Sequence, residues 1–319
     1  MNKIMMLSGI PGSGKTHYAK QLAKEARAVI VSTDAIRGEL FGSELKQKDT
    51  YAVYDHAFQQ IAKAAQAGRN VVFDATNTER SRRLQFLKRF SAFPVECHVL
   101  DAPYELAAER ISQRKRKIPE RILLKYARGF EFPVQGEGFE AIHIAHNNQK
   151  LLLARQQLEE LLSRQPGHDQ LFAALAGVGY FRDMVGFDQE NPYHSKSLSE
   201  HTFAVLDYIN TFYEGEHLLE LQLAALFHDA GKPLSKVWKA SRGYYSYYGH
   251  EHVSAIIACH VLKELEYDND FILHVVNLVS MHMEILHGKD AGASRIYHLL
   301  GPEMLSELYF FAEADSYAK

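Results

Sequence analysis

Two groups of residues in this sequence have the types and spacing for chemistry on phosphate. The first is GIPGSGKT, Gly9 to Thr16. Gly9, Gly12 and Gly14, with Ser13 between the last two, let successive backbone N–H groups turn inward around an anion. Lys15 can reach the β- and γ-phosphates of a nucleoside triphosphate, and Thr16 can hold Mg2+. Asp34 and Arg37 in STDAIR and Asp74 in VVFDATN each follow an apolar run. A carboxylate near the γ-phosphate could take the proton from an attacking hydroxyl, and Arg37, one helical turn past Asp34, faces the same side. Either aspartate alone could be a helix N-cap. Arg110 and Arg114 lie four apart in ERISQRKRKIPERI, with Arg116 after them. Over a triphosphate they would stabilise transition-state charge; without the glycine loop, the same run would read as a solvated helix face.

The second group is rich in histidine. LFHDAGKP sets His228 directly before Asp229 inside an apolar run. Neighbouring side chains do not share a helix face, so the pair asks for something placed above both. His201 lies upstream in SEHTFAVLDYI and Asp315 downstream in FFAEAD. One His, a His-Asp pair and one Asp on three helices can converge on a divalent ion inside a bundle. Such ligands suit Mn, Fe, Co, Ni or Zn, and a buried carboxylate is costly unless paired or bound to metal. His250 and His282 are further candidate ligands. Lys232, Arg295 and His194 are candidate contacts for a phosphorylated substrate. His252, His274 and His298 read as satisfied or exposed side chains.

The elements that must position these groups follow from periodicity. Over the first 150 residues short apolar runs alternate with amphipathic segments: KIMMLSG, AVIVSTD, NVVFDATN, ECHVLDAP and FEAIHIAHN as strands, with helical patterns between them. This alternation predicts a parallel sheet flanked by helices. Beyond it the strands give way to helical patterns over 198–213, 217–230, 250–266, 269–284 and 302–317, so the second half is expected to be all-α. PGHDQ is the candidate linker, giving an α/β domain over 1–165 and an all-α domain over 166–319.

Composition sets the bounds. The 36 basic and 39 acidic residues nearly balance, so no global field announces nucleic acid. The two cysteines, one in each half, argue against a disulfide framework and fit a reducing compartment. The short apolar run at the start stops at a Gly/Pro turn, and no stretch reads as a membrane span, so a cytoplasmic protein that does not engage a membrane is expected. Of 17 histidines, 12 lie at or after His168, a shift that predicts different chemistry in the two halves.

Over about residues 1–150, GIPGSGKT, STDAIR, VVFDATNT, ERISQRKRKIPE and EFPVQGEGF, in this order, resemble the P-loop polynucleotide 5′-kinase family. The resemblance implies ATP or another NTP with Mg2+. It implies Asp34 as general base for a 5′-hydroxyl, Arg37 as a contact of the acceptor's phosphate, Arg110 and Arg114 as lid arginines, and Asp74 as a residue that positions active-site groups. Kinases of small molecules, sugars and aminoacyl-tRNA share much of this frame. Over about residues 170–319, QENPYHSKSLSEHT, LFHDAGKP, YGHEHVSA and FFAEAD resemble the HD phosphohydrolase superfamily, especially the HD module attached to some tRNA nucleotidyltransferases. That resemblance implies that His201, His228, Asp229 and Asp315 bind a metal that activates water or polarises a phosphoryl oxygen. Together the halves imply a bifunctional end-healing enzyme. It would phosphorylate 5′-OH ends and clear 2′,3′-cyclic or 2′-phosphate ends, with RNA ahead of DNA as substrate and a ligase acting downstream. The alternative is a small-molecule or nucleoside kinase fused to a nucleotide phosphohydrolase.

Overall fold

The structure, a computed structural model, describes residues 2–43, 49–114, 118–146, 153–193 and 195–319. It divides into two compact units, Met1–Ile118 with Pro133–Ala145, and Pro119–Phe132 with His146–Lys319. The units do not part at residues 165 and 166, where the sequence pattern changes. The segments 119–132 and 146–165 group with the second unit.

In the first unit, β1 (Ile4–Ser8), β2 (Val29–Ser32), β3 (Val71–Asp74), β4 (Val95–Leu100) and β5 (Ala141–Ala145) form one parallel sheet in the order β2-β3-β1-β4-β5. Its helices are α1 (Lys15–Glu25), α2 (Thr33–Phe41), α3 (Thr50–Gln66), α4 (Arg80–Arg89) and α5 (Tyr104–Ser112). Strands covered on both faces read as near-continuous apolar runs, as the fully buried β1 and β3 do. On one face Met5, Leu7, Val72 and Leu100 pack on Ala19 and Ala23 of α1. On the other, Phe73 stacks on Phe86 of α4 with centroids 5.2 Å apart, and Phe58 of α3 meets both edge-on. Strand order reverses about β1, so its carboxyl end lies at the switch point where open α/β sheets bind ligands.

A buried ion pair locks the α4 side of this unit. Arg83 donates from Nε and Nη2 to the two oxygens of Glu137, at 2.8 and 2.7 Å, and from Nη1 to the carbonyl of Asn77. Both charged side chains are fully buried. Removing one partner leaves a buried charge without its mate, so Glu137→Ala is expected to destabilise the protein by about 3–5 kcal/mol. The joint exchange Arg83→Met with Glu137→Leu should recover only part of that loss, because Arg80 Nε also lies 3.3 Å from the Glu137 carboxylate and loses it; denaturant midpoints at constant m separate the two outcomes.

The second unit is helical: α6 (Glu120–Arg128), α7 (Arg155–Ser163), α8 (His168–Leu175), α9 (Gly179–Arg182), α10 (Leu198–Phe212), α11 (Leu218–Phe227), α12 (Lys232–Ser235), α13 (His250–Glu264) and α14 (Asn269–Tyr317). One departure from the all-α expectation is the antiparallel hairpin of β6 (Val237–Lys239) and β7 (Tyr244–Ser246). Its aromatic pair Trp238 and Tyr245 and the left-handed Gly243 are ordinary hairpin chemistry in a segment too short to register as strands. The long α14 is not a straight rod. A straight helix would hold His274 and Glu307 roughly 50 Å apart, yet His274 Nε2 lies 2.7 Å from Glu307 Oε2. The run doubles back between Glu284 and Gly292, where a Cβ on Gly292 would meet the Glu284 carbonyl oxygen at 2.4 Å and Arg295 reaches back to the Glu284 carboxylate; Gly301, at φ 84° just before Pro302, lies on the returning limb. Its first limb, Asn269–Gly288, is long and apolar enough to cross a membrane, contrary to the sequence reading that no stretch is. Half of that limb is buried in the bundle, and it delivers His282 to the interior, as a core helix does.

Glu307 ties the two limbs to the turn before α11, because His217 Nδ1 also lies 2.6 Å from Glu307 Oε1. The hydrogen bond to Glu307 raises the His217 pKa above its ordinary 6.5. A raised folded-state value means this stabilisation is complete below about 6.5 and is lost as pH rises through the raised value. The difference in Tm between the protein and a His217→Gln variant should therefore be widest in mildly acid buffer and shrink towards alkaline pH. A gap that ignores pH would refute this assignment.

Candidate functional site

In the first unit the turn after β1 wraps the space above α1. Gly12 (φ 88°) and Gly14 (φ 97°) both lie in the left-handed region, and a Cβ on Gly12 would meet the carbonyl oxygen of Ala107 at 2.6 Å. Lys15 Nζ donates to the carbonyls of Gly9 and Ile10, both at 2.9 Å, so the ammonium is folded over the loop it would share with a phosphate. Burial pushes the Lys15 pKa down to about 8, against the pull of Asp74 and Asp34 and with help from Arg114. Burial likewise raises the Asp74 carboxyl, opposed by Lys15 and by the Thr16 hydroxyl.

Thr16 Oγ1 donates to Asp74 Oδ2 at 3.1 Å. A loop hydroxyl beside a carboxylate at the end of a neighbouring strand is the pair that holds Mg2+ in P-loop enzymes. Asp34 Oδ1 accepts from Arg37 Nη1 at 2.6 Å; the arginine is buried, while the Asp34 side chain is half exposed and open to a substrate. Arg110 Nη1 reaches the carbonyl of Ser13 at 3.4 Å, which brings it to the loop. Arg114 lies past the end of α5 and is exposed; Arg116 falls outside the described residues.

In the second unit six residues converge. His201 Nε2 lies 3.2 Å from His228 Nε2, 3.5 Å from Asp229 Oδ2 and 3.0 Å from Asp315 Oδ1; His228 Nε2 lies 3.3 Å from Asp229 Oδ2. Donor atoms bound to one ion at about 2.1 Å stand roughly 3.0–3.4 Å apart. The other carboxylate oxygen of Asp229 lies 3.0 Å from His250 Nε2, and Asp229, His250 and His282 form a second compact set. Asp229 is thus shared by two adjoining ligand sets, and all six side chains are buried.

The outer ring nitrogens explain why this cluster suits a metal. His228 Nδ1 faces the carbonyl of Ala225 at 2.8 Å, His250 Nδ1 that of Tyr247 at 2.8 Å, His282 Nδ1 that of Val279 at 2.7 Å, and His201 Nδ1 that of Ala318 at 3.4 Å. A carbonyl only accepts, so each Nδ1 carries a proton and each ring turns its Nε2 inward, the orientation seen in metal-binding histidines. His250 Nε2 has no hydrogen-bond partner among the described residues, since its approach to Asp229 lacks hydrogen-bond geometry. Lone pairs facing lone pairs and carboxylates in a dry interior call for a cation. Although burial opposes it, His228 and Lys232 hold the Asp229 carboxyl well below the usual range. Burial pushes the His282 ring down to about 4, aided by His250 and His228.

The predicted substrate contacts fare unevenly. Lys232 Nζ pairs with Asp229 Oδ2 at 2.6 Å and donates to Gln189 Oε1 at 2.7 Å, so it holds the shared carboxylate. Arg295 is not joined to the cluster; its guanidinium pairs with Glu284 and is half exposed. His194 lies outside the described residues. Sequence reading missed the buried Gln189, whose role appears only once Lys232 is seen against it. It also missed Gly231, where a Cβ would meet the carbonyl oxygen of His250 at 2.5 Å. Only glycine lets the His-Asp turn approach α13 closely enough to share Asp229 with His250.

The fold and site define a kinase-like P-loop domain joined to an HD domain. Residues 4–133 match the family model for an AAA domain, and residues 198–319 that for an HD domain. The chain is 33% identical over 135 residues to the CC-adding tRNA nucleotidyltransferase of Thermus thermophilus and 31% identical over 125 residues to the A-adding tRNA nucleotidyltransferase of Deinococcus radiodurans. These matches take in 42% and 38% of this chain, but only 30% and 29% of the relatives' lengths. Among solved structures, a chain of the Pnkp1/Rnl/Hen1 RNA repair complex is 23% identical, with a TM-score of 0.38, over 40% of this chain and 44% of that one.

Proposed function

We propose that the chain is a bifunctional RNA end-healing enzyme. Its P-loop site transfers the γ-phosphate of an NTP to a 5′-hydroxyl, and its HD site removes phosphate from 2′,3′-cyclic or 2′-phosphate ends. The observation that carries the reading is Asp34. Its half-exposed carboxylate stands at the carboxyl end of β2, gripped by Arg37 at 2.6 Å, in the same unit as the Thr16–Asp74 pair. Asp34 accepts the proton of the attacking hydroxyl, Arg37 binds the acceptor's phosphate, and Lys15 with Arg110 and Arg114 neutralises the charge that develops on the transferred group. In the HD site, His201, His228, Asp229 and Asp315 would hold one divalent ion and Asp229, His250 and His282 a second. Bound there, transition metal ions supply Lewis acidity and an activated water. Lys232 and Gln189 keep Asp229 ionised and oriented between the two sets. Similarity to tRNA nucleotidyltransferases supports RNA as the substrate class. The healed 5′-phosphate and free hydroxyl are what a ligase consumes.

The test is an RNA oligonucleotide with a 5′-hydroxyl and a 2′,3′-cyclic phosphate, incubated with NTP, Mg2+ and Mn2+ or Ni2+. Both ends should change, and each change should depend on its own site. Phosphorylation of a nucleoside or sugar in preference to the oligonucleotide would overturn the reading in favour of a small-molecule kinase.

A further inference from the structure

A third cluster shares no residue with either site. His98 on β4 stands opposite His143 on β5, and Glu96 lies two positions before His98, so the pleat turns all three to one face. Glu96 Oε2 is 3.6 Å from His98 Nε2 and 3.8 Å from His143 Nε2, and the three donor atoms lie within 4.8 Å of one another. The two imidazole centroids are 4.7 Å apart. His98 is buried, 5% exposed, and its Nε2 has no hydrogen-bond partner among the described residues. Buried polar atoms are rarely left in that state.

From these juxtaposed donors we infer a zinc site formed by Glu96, His98 and His143 on the α1 face of the sheet. Donors about a tetrahedral Zn2+ with bonds of about 2.1 Å stand roughly 3.4 Å apart, so the two distances from Glu96 to the imidazoles close by a few tenths of an ångström. Two further groups complete it. The Tyr18 hydroxyl lies 3.0 Å from His98 Nδ1 and, by accepting that proton, leaves the Nε2 lone pair towards Glu96 and His143. Lys3 Nζ donates to Glu96 Oε1 at 2.8 Å, which leaves Oε2 for the ion. Two imidazoles and one carboxylate suit Zn2+ or Co2+, whereas Mg2+ prefers oxygen ligands throughout. His143, partly exposed, gives the ion its way in. Among the described residues β5 is the edge strand and pairs with β4 alone. The ion would fasten that edge across the ladder.

The test compares the whole protein with His143→Ala, a change at a partly exposed position, after equilibration with Zn2+ and removal of free metal. Elemental analysis should show one fewer zinc per chain in the variant. A second loading with Co2+ should show the absorption of a tetrahedral ion in the parent and its loss in His143→Ala and Glu96→Gln. Tyr18→Phe should weaken zinc binding by about 10–100-fold while leaving the stoichiometry at saturation intact. Equal zinc content and equal Co2+ spectra in parent and His143→Ala would overturn the inference. Because the readout is a difference at His143, metal held by the HD cluster cancels.

Discussion

Asp229→Ala is expected to empty the HD site of tightly bound metal and to cut phosphate release by about 10³-fold or more. Asp229 serves both ligand sets, its Oδ2 3.3 Å from His228 Nε2 and its Oδ1 3.0 Å from His250 Nε2. Losing it removes a ligand from each set and leaves the buried Lys232 ammonium with Gln189 but without the carboxylate it pairs with. Lewis-acid catalysis contributes several kcal/mol, and each 1.36 kcal/mol is tenfold in rate. Asp229→Asn keeps the volume and a carbonyl oxygen but not the charge, so it separates loss of metal from loss of fold. Elemental analysis and phosphate release on a 2′,3′-cyclic substrate give the readouts, and 5′-phosphorylation should be unchanged in both variants. Full metal content and hydrolysis in Asp229→Ala would sink the assignment.

The second large effect is expected from Asp34→Ala, a fall of about 10²–10⁴-fold in transfer to a 5′-hydroxyl, the usual worth of a positioned general base. Nucleotide binding should survive, because the glycine loop, Lys15 and Thr16 remain. Lys15→Ala differs in kind, since it should weaken both NTP binding and transfer. Equilibrium nucleotide binding measured beside single-turnover transfer distinguishes the two. If Asp34→Ala transferred phosphate at the parent rate, the base would have to be sought elsewhere.

The parts of the molecule legible in the sequence are those written locally. The phosphate loop is eight consecutive residues whose glycines meet a steric demand on the spot. The strands before Asp34 and Asp74 announce themselves as apolar runs. His201, His228, Asp229 and Asp315 stand out because such groups inside apolar helices need a reason to be there. What escaped depends on partners remote in the chain. SRRLQFLKR reads as a helix with a charged face, yet Arg83 is buried against Glu137, 54 positions away. Lys232 reads as a phosphate contact until Gln189, 43 positions earlier, is seen to share its ammonium. Arg295 looks equally suited, but Glu284 claims it. The segment after the arginine-rich run falls within the 1–165 domain by its place in the sequence, whereas α6 packs with α12 and α13 of the second unit.

The doubling back of α14 gives the HD cluster a place in the order of folding. His282 sits on its first limb and Asp315 on its second, while His201 Nδ1 meets the carbonyl of Ala318 across 117 positions of chain. Contacts of such separation are among the last to form, because the closure entropy must be met before they are rewarded. As the chain leaves the ribosome, the P-loop unit has all its strands and its phosphate loop long before Asp315 emerges. The centre between α10, α11 and α13 cannot close until the returning limb docks. Assembly of the six-residue cluster thus waits for the returning limb, and uptake of a divalent ion there, if the cluster holds one as proposed, would serve as a clock for when folding of that unit is complete.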